Sequence, residues 1–148
     1  MTTNEKLFFN IAFVFALICV FNYAEAANWV SVGTDTLDNE YYINTNTIVT
    51  TKESQFKVLY NEKLSSLGKQ DFQSRWSDEY TNTEYVCYEM EWLEFIVKNG
   101  NVEVKVFSRS IYDSQGEFMG NIDRPYAFHK VGLNSMYMII YRKSRAYL

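Results

Sequence analysis

The chain has 148 residues and a formal net charge of −4, with acidic and basic residues interspersed. So mild a charge leaves no footprint for nucleic acid or another polyanion. One Pro, six Gly and 47% apolar residues exclude a disordered or low-complexity protein.

Residues 1–26 read as a cleavable export signal and not as part of the fold. A short polar start containing Lys6 leads into an almost wholly apolar run of 15 residues, Leu7 to Phe21, broken only by Asn10. Ala24-Glu25-Ala26 then supplies small residues at the two positions a signal peptidase reads, which sets cleavage before Ala27. An uncleaved anchor needs about 20 apolar residues, and this run is shorter. Lipoprotein processing at Cys19 would need a small residue before it, where Ile18 stands.

Residues 27–148 make one domain, large enough to bury a core without staples. Without Lys6, Glu5 and Glu25 it holds 13 basic and 16 acidic residues, a net charge of −3. Eleven of its 20 aromatic residues are Tyr, a side chain suited to a half-buried sheet because one end of the ring stays dry and the other reaches water. With Cys19 removed, Cys87 is alone and no internal disulfide can form. It is read as a small buried or half-buried residue on a strand, as a free thiol, or as the link in a homo-dimer.

In chain order, Trp29 to Val32 is a first short strand ending at Gly33, and Thr34 to Asn39 is a polar loop. Glu40 to Ile43 is a second strand, closed by Asn44-Thr45-Asn46, with Thr47 to Thr51 extended beyond it. Gln55 to Leu64 alternates, with Phe56, Val58 and Tyr60 on one face. Within Ser65 to Thr83, the spacing of Leu67, Phe72 and Trp76 allows a short amphipathic helix. Two long strands follow, Glu84 to Lys98 and Val102 to Tyr112.

Asn99-Gly100 between those strands supplies the two positive φ values of a type I′ turn. The turn sets a register in which Val97 faces Val102, Phe95 faces Val104 and Leu93 faces Val106, with Glu94 opposite Lys105 for an ion pair. Nearer the start of the strand the pattern inverts: Tyr88, Met90 and Trp92 are apolar, while Cys87, Glu89 and Glu91 are not. Either the buried face changes near Trp92 through a bulge or strong twist, or both faces are covered there. Ser114-Gln115-Gly116 is a further turn, Glu117 to Ile122 is extended, and Arg124-Pro125 breaks the pattern. From Ser135, a plausible N-cap, Met136, Ile139 and Ile140 fall at helical spacing, and Lys143 and Arg145 suit a helix C-terminus.

These pieces, in this order, resemble the surface-adhesin protein E-like domain of small exported bacterial proteins. The resemblance rests on residues 28–35 (Asn28 to Asp35), 41–48 (Tyr41 to Ile48), 56–60 (Phe56 to Tyr60), the Ser108 to Gly116 segment and the closing Gly132 to Tyr141. It implies an α+β fold: an antiparallel, twisted β-sheet with a C-terminal helix packed across it, preceded by the cleaved signal peptide. Members often tie a central strand to that helix with a cysteine pair. The aligned positions here, near Val97 to Asn99 and at Tyr141, hold no Cys. The resemblance then implies a helix held by apolar packing of Met136, Ile139 and Ile140.

Candidate chemistry is sparse. His129 is the single histidine, which excludes two-histidine metal motifs. A Cys87–His129 nucleophile pair lacks a family signature. Glu89, Glu91 and Glu94 admit a cation site or paired carboxylates, against the commoner reading of a solvated sheet face. The chain therefore reads as a non-enzymatic exported binding protein, adhesin-like as the resemblance implies, working in the periplasm, at the cell surface or after secretion. A protein is its expected partner, with no nucleic acid, no cofactor and no stable membrane span after signal cleavage. The second reading is a periplasmic structural or inhibitory housekeeping protein with no host partner.

Overall fold

In a computed structural model of the chain, residues 27–122 and 127–148 are described. The export-signal reading and the break at Arg124-Pro125 fall outside those residues. Six strands run as an antiparallel meander in sequence order: β1 (Trp29–Thr34), β2 (Glu40–Lys52), β3 (Gln55–Lys63), β4 (Tyr88–Lys98), β5 (Asn101–Tyr112) and β6 (Phe118–Asn121). A two-residue β7 (His129–Lys130) pairs with β5 and completes a seven-stranded sheet. Two helices, α1 (Ser66–Trp76) and α2 (Met136–Arg145), lie on one face of it. No helix among the described residues is long and apolar enough to cross a membrane.

The hairpin forms as its turn chemistry predicts. Asn99 and Gly100 have φ of 51° and 75°, and the pairs Val97–Val102, Phe95–Val104, Leu93–Val106 and Glu94–Lys105 all occur. The expected ion pair does not form. Glu94 Oε1 accepts from Gln55 Nε2 at 2.7 Å, and the Lys105 ammonium lies over the Phe107 ring. Upstream, the strand begins later than expected: Thr83–Tyr85 is a 3-10 turn and Cys87 precedes β4. The expected second strand and the extended piece after it are one strand, β2, whose register slips between Asn44 and Val49.

The bulge near Trp92 is real, but its extra residue is Phe107 on β5, between the Trp92–Ser108 and Leu93–Val106 pairs. It therefore switches the parity of β5. Val102, Val104 and Val106 face the core before it, and Arg109 and Ile111 after it. β4 keeps an unbroken alternation, so Glu89 and Glu91 share the helix-covered face with Leu93 and Phe95.

Both helices are capped by a Ser side chain. Ser65 Oγ accepts from Gly68 N at 3.0 Å and Ser135 Oγ from Met138 N at 3.3 Å. On α1, Phe72 and Trp76 pack with Leu64, Val86, Ile111 and Ile122, while Leu67 is 52% exposed and outside the core. On α2 the buried residues are Met138, Ile140, Tyr141 and Ser144. Met136 is half-buried, and Ile139, expected to pack inward, is 40% exposed. The apolar stripe is displaced because Tyr141 seats its ring against Phe56 and Phe95, with centroids 5.7 and 5.6 Å away. An aromatic cluster thus holds the helix on the sheet.

One glycine is fixed by a neighbour. A Cβ at Gly68 would land inside the buried side-chain amide of Asn39, whose Oδ1 accepts from Ser65 N at 2.9 Å at the start of α1.

Three substitutions probe this packing, each read from urea denaturation. Tyr141→Ala is expected to lower stability by about 3 kcal/mol, and Ile139→Ala to stay within about 0.5 kcal/mol. Gly68→Ala, which adds helix propensity, is nonetheless expected to destabilise by about 1–3 kcal/mol because the site is overpacked.

Candidate functional site

Between the two apolar clusters, the helix-covered face carries a polar patch, and strand alternation builds it. On β3 the series Phe56, Val58, Tyr60 continues to Glu62, and on β4 the series Phe95, Leu93 continues back to Glu91 and Glu89. Register sets Glu62 directly opposite Glu89, Tyr60 opposite Glu91, and Glu91 opposite Arg109 of β5. Glu89 is 2% exposed and Glu91 0%. These carboxyls are thus buried beneath the helices. The solvated-face expectation fails because β4 is covered along its length. Glu94 lies on the opposite face and takes no part.

One guanidinium serves the patch. Arg109 Nε contacts Glu91 Oε1 and lies 3.4 Å from Glu89 Oε2. Tyr137, from the first turn of α2, donates to Glu91 Oε2 at 3.4 Å. On the other side Glu62 Oε1 accepts from Asn39 Nδ2 at 2.8 Å and lies 2.9 Å from the Tyr41 hydroxyl. The Tyr41 hydroxyl also lies 2.9 Å from Asp35 Oδ2. Asp35 is held by its own loop, where Oδ1 accepts from the backbone N–H of Leu37 and of Asn39. Register thus sets two bonded clusters side by side in one polar network at the Glu62–Glu89 pair: one joins the β1–β2 loop, β2, β3 and the start of α1 through Asn39, and the other joins β4, β5 and the start of α2 through Tyr137.

The network opens into a cleft of about 330 Å³, walled by the sheet, by Asp71 and Arg75 of α1, and by Met136 and Tyr137 of α2. Asp71 and Arg75 pair with each other at 2.7 Å on the exposed side. Burial pushes the Glu62 carboxyl up to about 7, with Glu91 and Asp35 adding to the rise against the Tyr41 hydrogen bond. Burial likewise pushes Glu89 up to about 8 against the relief from Arg109, with Glu62 and Glu91 adding to the rise. The Arg109 guanidinium loses hydration, but Glu91 and Glu89 more than offset this and hold its pKa above the ordinary value. Burial and the neighbouring carboxyls raise Tyr41, Tyr60 and Tyr137, which makes them hydrogen-bond donors and not phenolates. The chemistry on offer is the holding and release of protons near neutrality.

The other face of the sheet is uncovered among the described residues. At one end Trp29, Tyr42, Asn61, Tyr88, Met90 and Tyr112 line a hollow of about 400 Å³. At the other, Lys57 and Lys105 place their ammonium groups 4.3 and 4.7 Å from the Phe107 ring centroid.

The Cys87–His129 pair is not assembled. Cys87 N donates to Tyr112 O, whereas His129 pairs with Val104, eight residues away along β5, or about 25 Å at strand rise. Cys87 is half-buried, and its sulfur accepts from Lys69 Nζ at 2.9 Å. His129 is exposed with its ring against Tyr137, 6.1 Å between centroids. Of the glutamates singled out from sequence, Glu89 and Glu91 come together and Glu94 does not. Glu62, Arg109, Tyr41, Asp35 and Tyr137 were not singled out, although Glu62 continues the alternation already read on β3. Among the described residues no group of three or more His, Cys, Asp or Glu side chains is arranged to hold a metal ion. No protein-family model, curated protein or solved structure matches the chain.

Removing the central cation tests the patch. Arg109→Met is expected to cost about 3–5 kcal/mol, since it strands buried carboxyls. Arg75→Met, at the exposed pair, is expected to cost no more than about 0.5 kcal/mol. Chemical denaturation of both variants at one pH makes the comparison.

Proposed function

We propose that this chain is an exported, non-enzymatic binding protein that engages another protein through the open face of its sheet. The observation that carries the reading is the asymmetry of that sheet. One face is closed by two helices, while the other presents Trp29, Tyr42, Tyr88, Met90 and Tyr112 around an open hollow. Aromatic residues and Met are the side chains enriched at protein interfaces, where they bury large area at small entropic cost. The far end of the same face is charged, with Lys57 and Lys105 at Phe107 flanking Glu94, so the surface grades from apolar to polar.

Two further considerations support it. The apolar run and the Ala24-Glu25-Ala26 pattern support export, and the resemblance to the surface-adhesin protein E-like domain supports an adhesin-like role at the bacterial envelope or surface.

Capture from an envelope fraction, followed by affinity measurement on the captured protein, tests the reading. Protein purified after expression of the full chain is compared with a Trp29→Ser/Tyr88→Ser variant and with a Leu133→Ser control outside the hollow. The reading expects affinity to drop at least about tenfold in the double variant and to hold in the control. Equal affinity in all three would sink it, and recovery of uncleaved protein in the cytoplasm would remove the export premise.

A further inference from the structure

We propose that the cleft between α1 and α2 is a proton-held clasp, in which protonated Glu62 and Glu89 seat the first turn of α2 on the sheet and their deprotonation releases it. The proposal starts from charge counting. Glu62, Glu89 and Glu91 sit together on one covered face, and Arg109 is the cation that reaches them. A guanidinium can neutralise one carboxylate well, and a further buried carboxylate beside it is forced toward its neutral form.

Among the described residues the other walls bring no second buried cation. α1 contributes Asp71 and Arg75, which satisfy each other at the exposed rim. The β1–β2 side contributes Asp35, one more carboxyl, with Asn39 and Tyr41 as neutral donors. β3 adds the Tyr60 phenol, α2 adds the Tyr137 phenol, and His129 of β7 touches the far side of that ring. Burial that lifts Glu62 to about 7 and Glu89 to about 8, from an ordinary 4.5, agrees with this count.

The sign follows from linkage. For a carboxyl whose folded pKa is raised, the stabilisation is full below its ordinary pKa and is lost as pH climbs through the folded value. Here the loss runs from about pH 4.5 up to about 7 for Glu62 and about 8 for Glu89, and is complete above those values. The weakest wall determines what gives way. The strands are held by continuous ladders, and α1 is held by Phe72, Trp76 and the Asn39 contact. The C-terminal half of α2 is pinned by Ile140 and Tyr141. Its first turn packs Met136 and the Tyr137 ring at the edge of the cluster, against Tyr60, and meets the carboxyls through one hydrogen bond, Tyr137 to Glu91 at 3.4 Å. Admitting water to charged Glu62 and Glu89 therefore displaces that turn first.

Hydrogen exchange of the protein purified after expression of the full chain tests the clasp. Protection factors of the Met138 and Ile139 amides, both bonded to the Ser135 carbonyl, are compared with those of Val58 and Leu93 in the central strands. The expected result is at least an about tenfold loss of protection in α2 between about pH 6 and about pH 8.5, with the strands unchanged. Glu62→Gln/Glu89→Gln, which mimics the protonated pair, is expected to hold protection constant across that range, and Glu62→Gln alone to reduce the loss. Constant protection in the unmodified protein overturns the proposal. So does equal loss in helix and strands, or an unchanged pH response in the Gln variants.

Discussion

A single guanidinium sets the terms for the covered half of this molecule. Arg109 is placed by a bulge two residues earlier, where Phe107 flips the parity of β5 and turns the chain from valines to Arg109 and Ile111 on the inner face. Without that flip, Arg109 would point to the opposite face, away from Glu91. The two apolar clusters flank this polar seam, so each helix packs against its own oily ground and meets the seam at its edge. Stability and charge are thus coupled through one local irregularity in a strand.

The same sheet separates two kinds of work. Its inner face uses buried polar groups joined in a network, which fixes the positions of loop, strands and helices relative to each other. Its outer face uses broad aromatic surface with few internal commitments among the described residues. A surface that is not needed to hold the fold is free to meet another molecule, while the inner network tolerates little change.

The readable parts of the sequence were those governed by local chemistry. Asn99-Gly100 set the hairpin register, Ser135 capped α2, and the alternation of Phe56, Val58 and Tyr60 marked the inner face of β3. The unreadable parts were those where tertiary cover overrides polarity. Glu89 and Glu91 look like a wet face on a single strand. Their burial depends on helices distant in sequence and on an arginine whose facing is decided by a bulge in the neighbouring strand. Ile139 and Tyr141 traded places for a related reason. Helical spacing cannot reveal that Phe56 and Phe95 form a seat shaped for an aromatic ring. Cys87 was expected within a strand, but the 3-10 turn at Thr83–Tyr85 delays the start of β4.

The outer edge of β5 is shared by two short strands, β7 against Glu103 and Val104, and β6 against Ser110 to Tyr112. Between them no strand pairs with the edge among the described residues, and the Phe107 bulge sits in that gap. A foreign strand seeking to extend the sheet would find only a few residues of free ladder, kinked in the middle. Sheets without such interruption template their own polymerisation. The irregularity that orients Arg109 therefore also guards this border against runaway self-association.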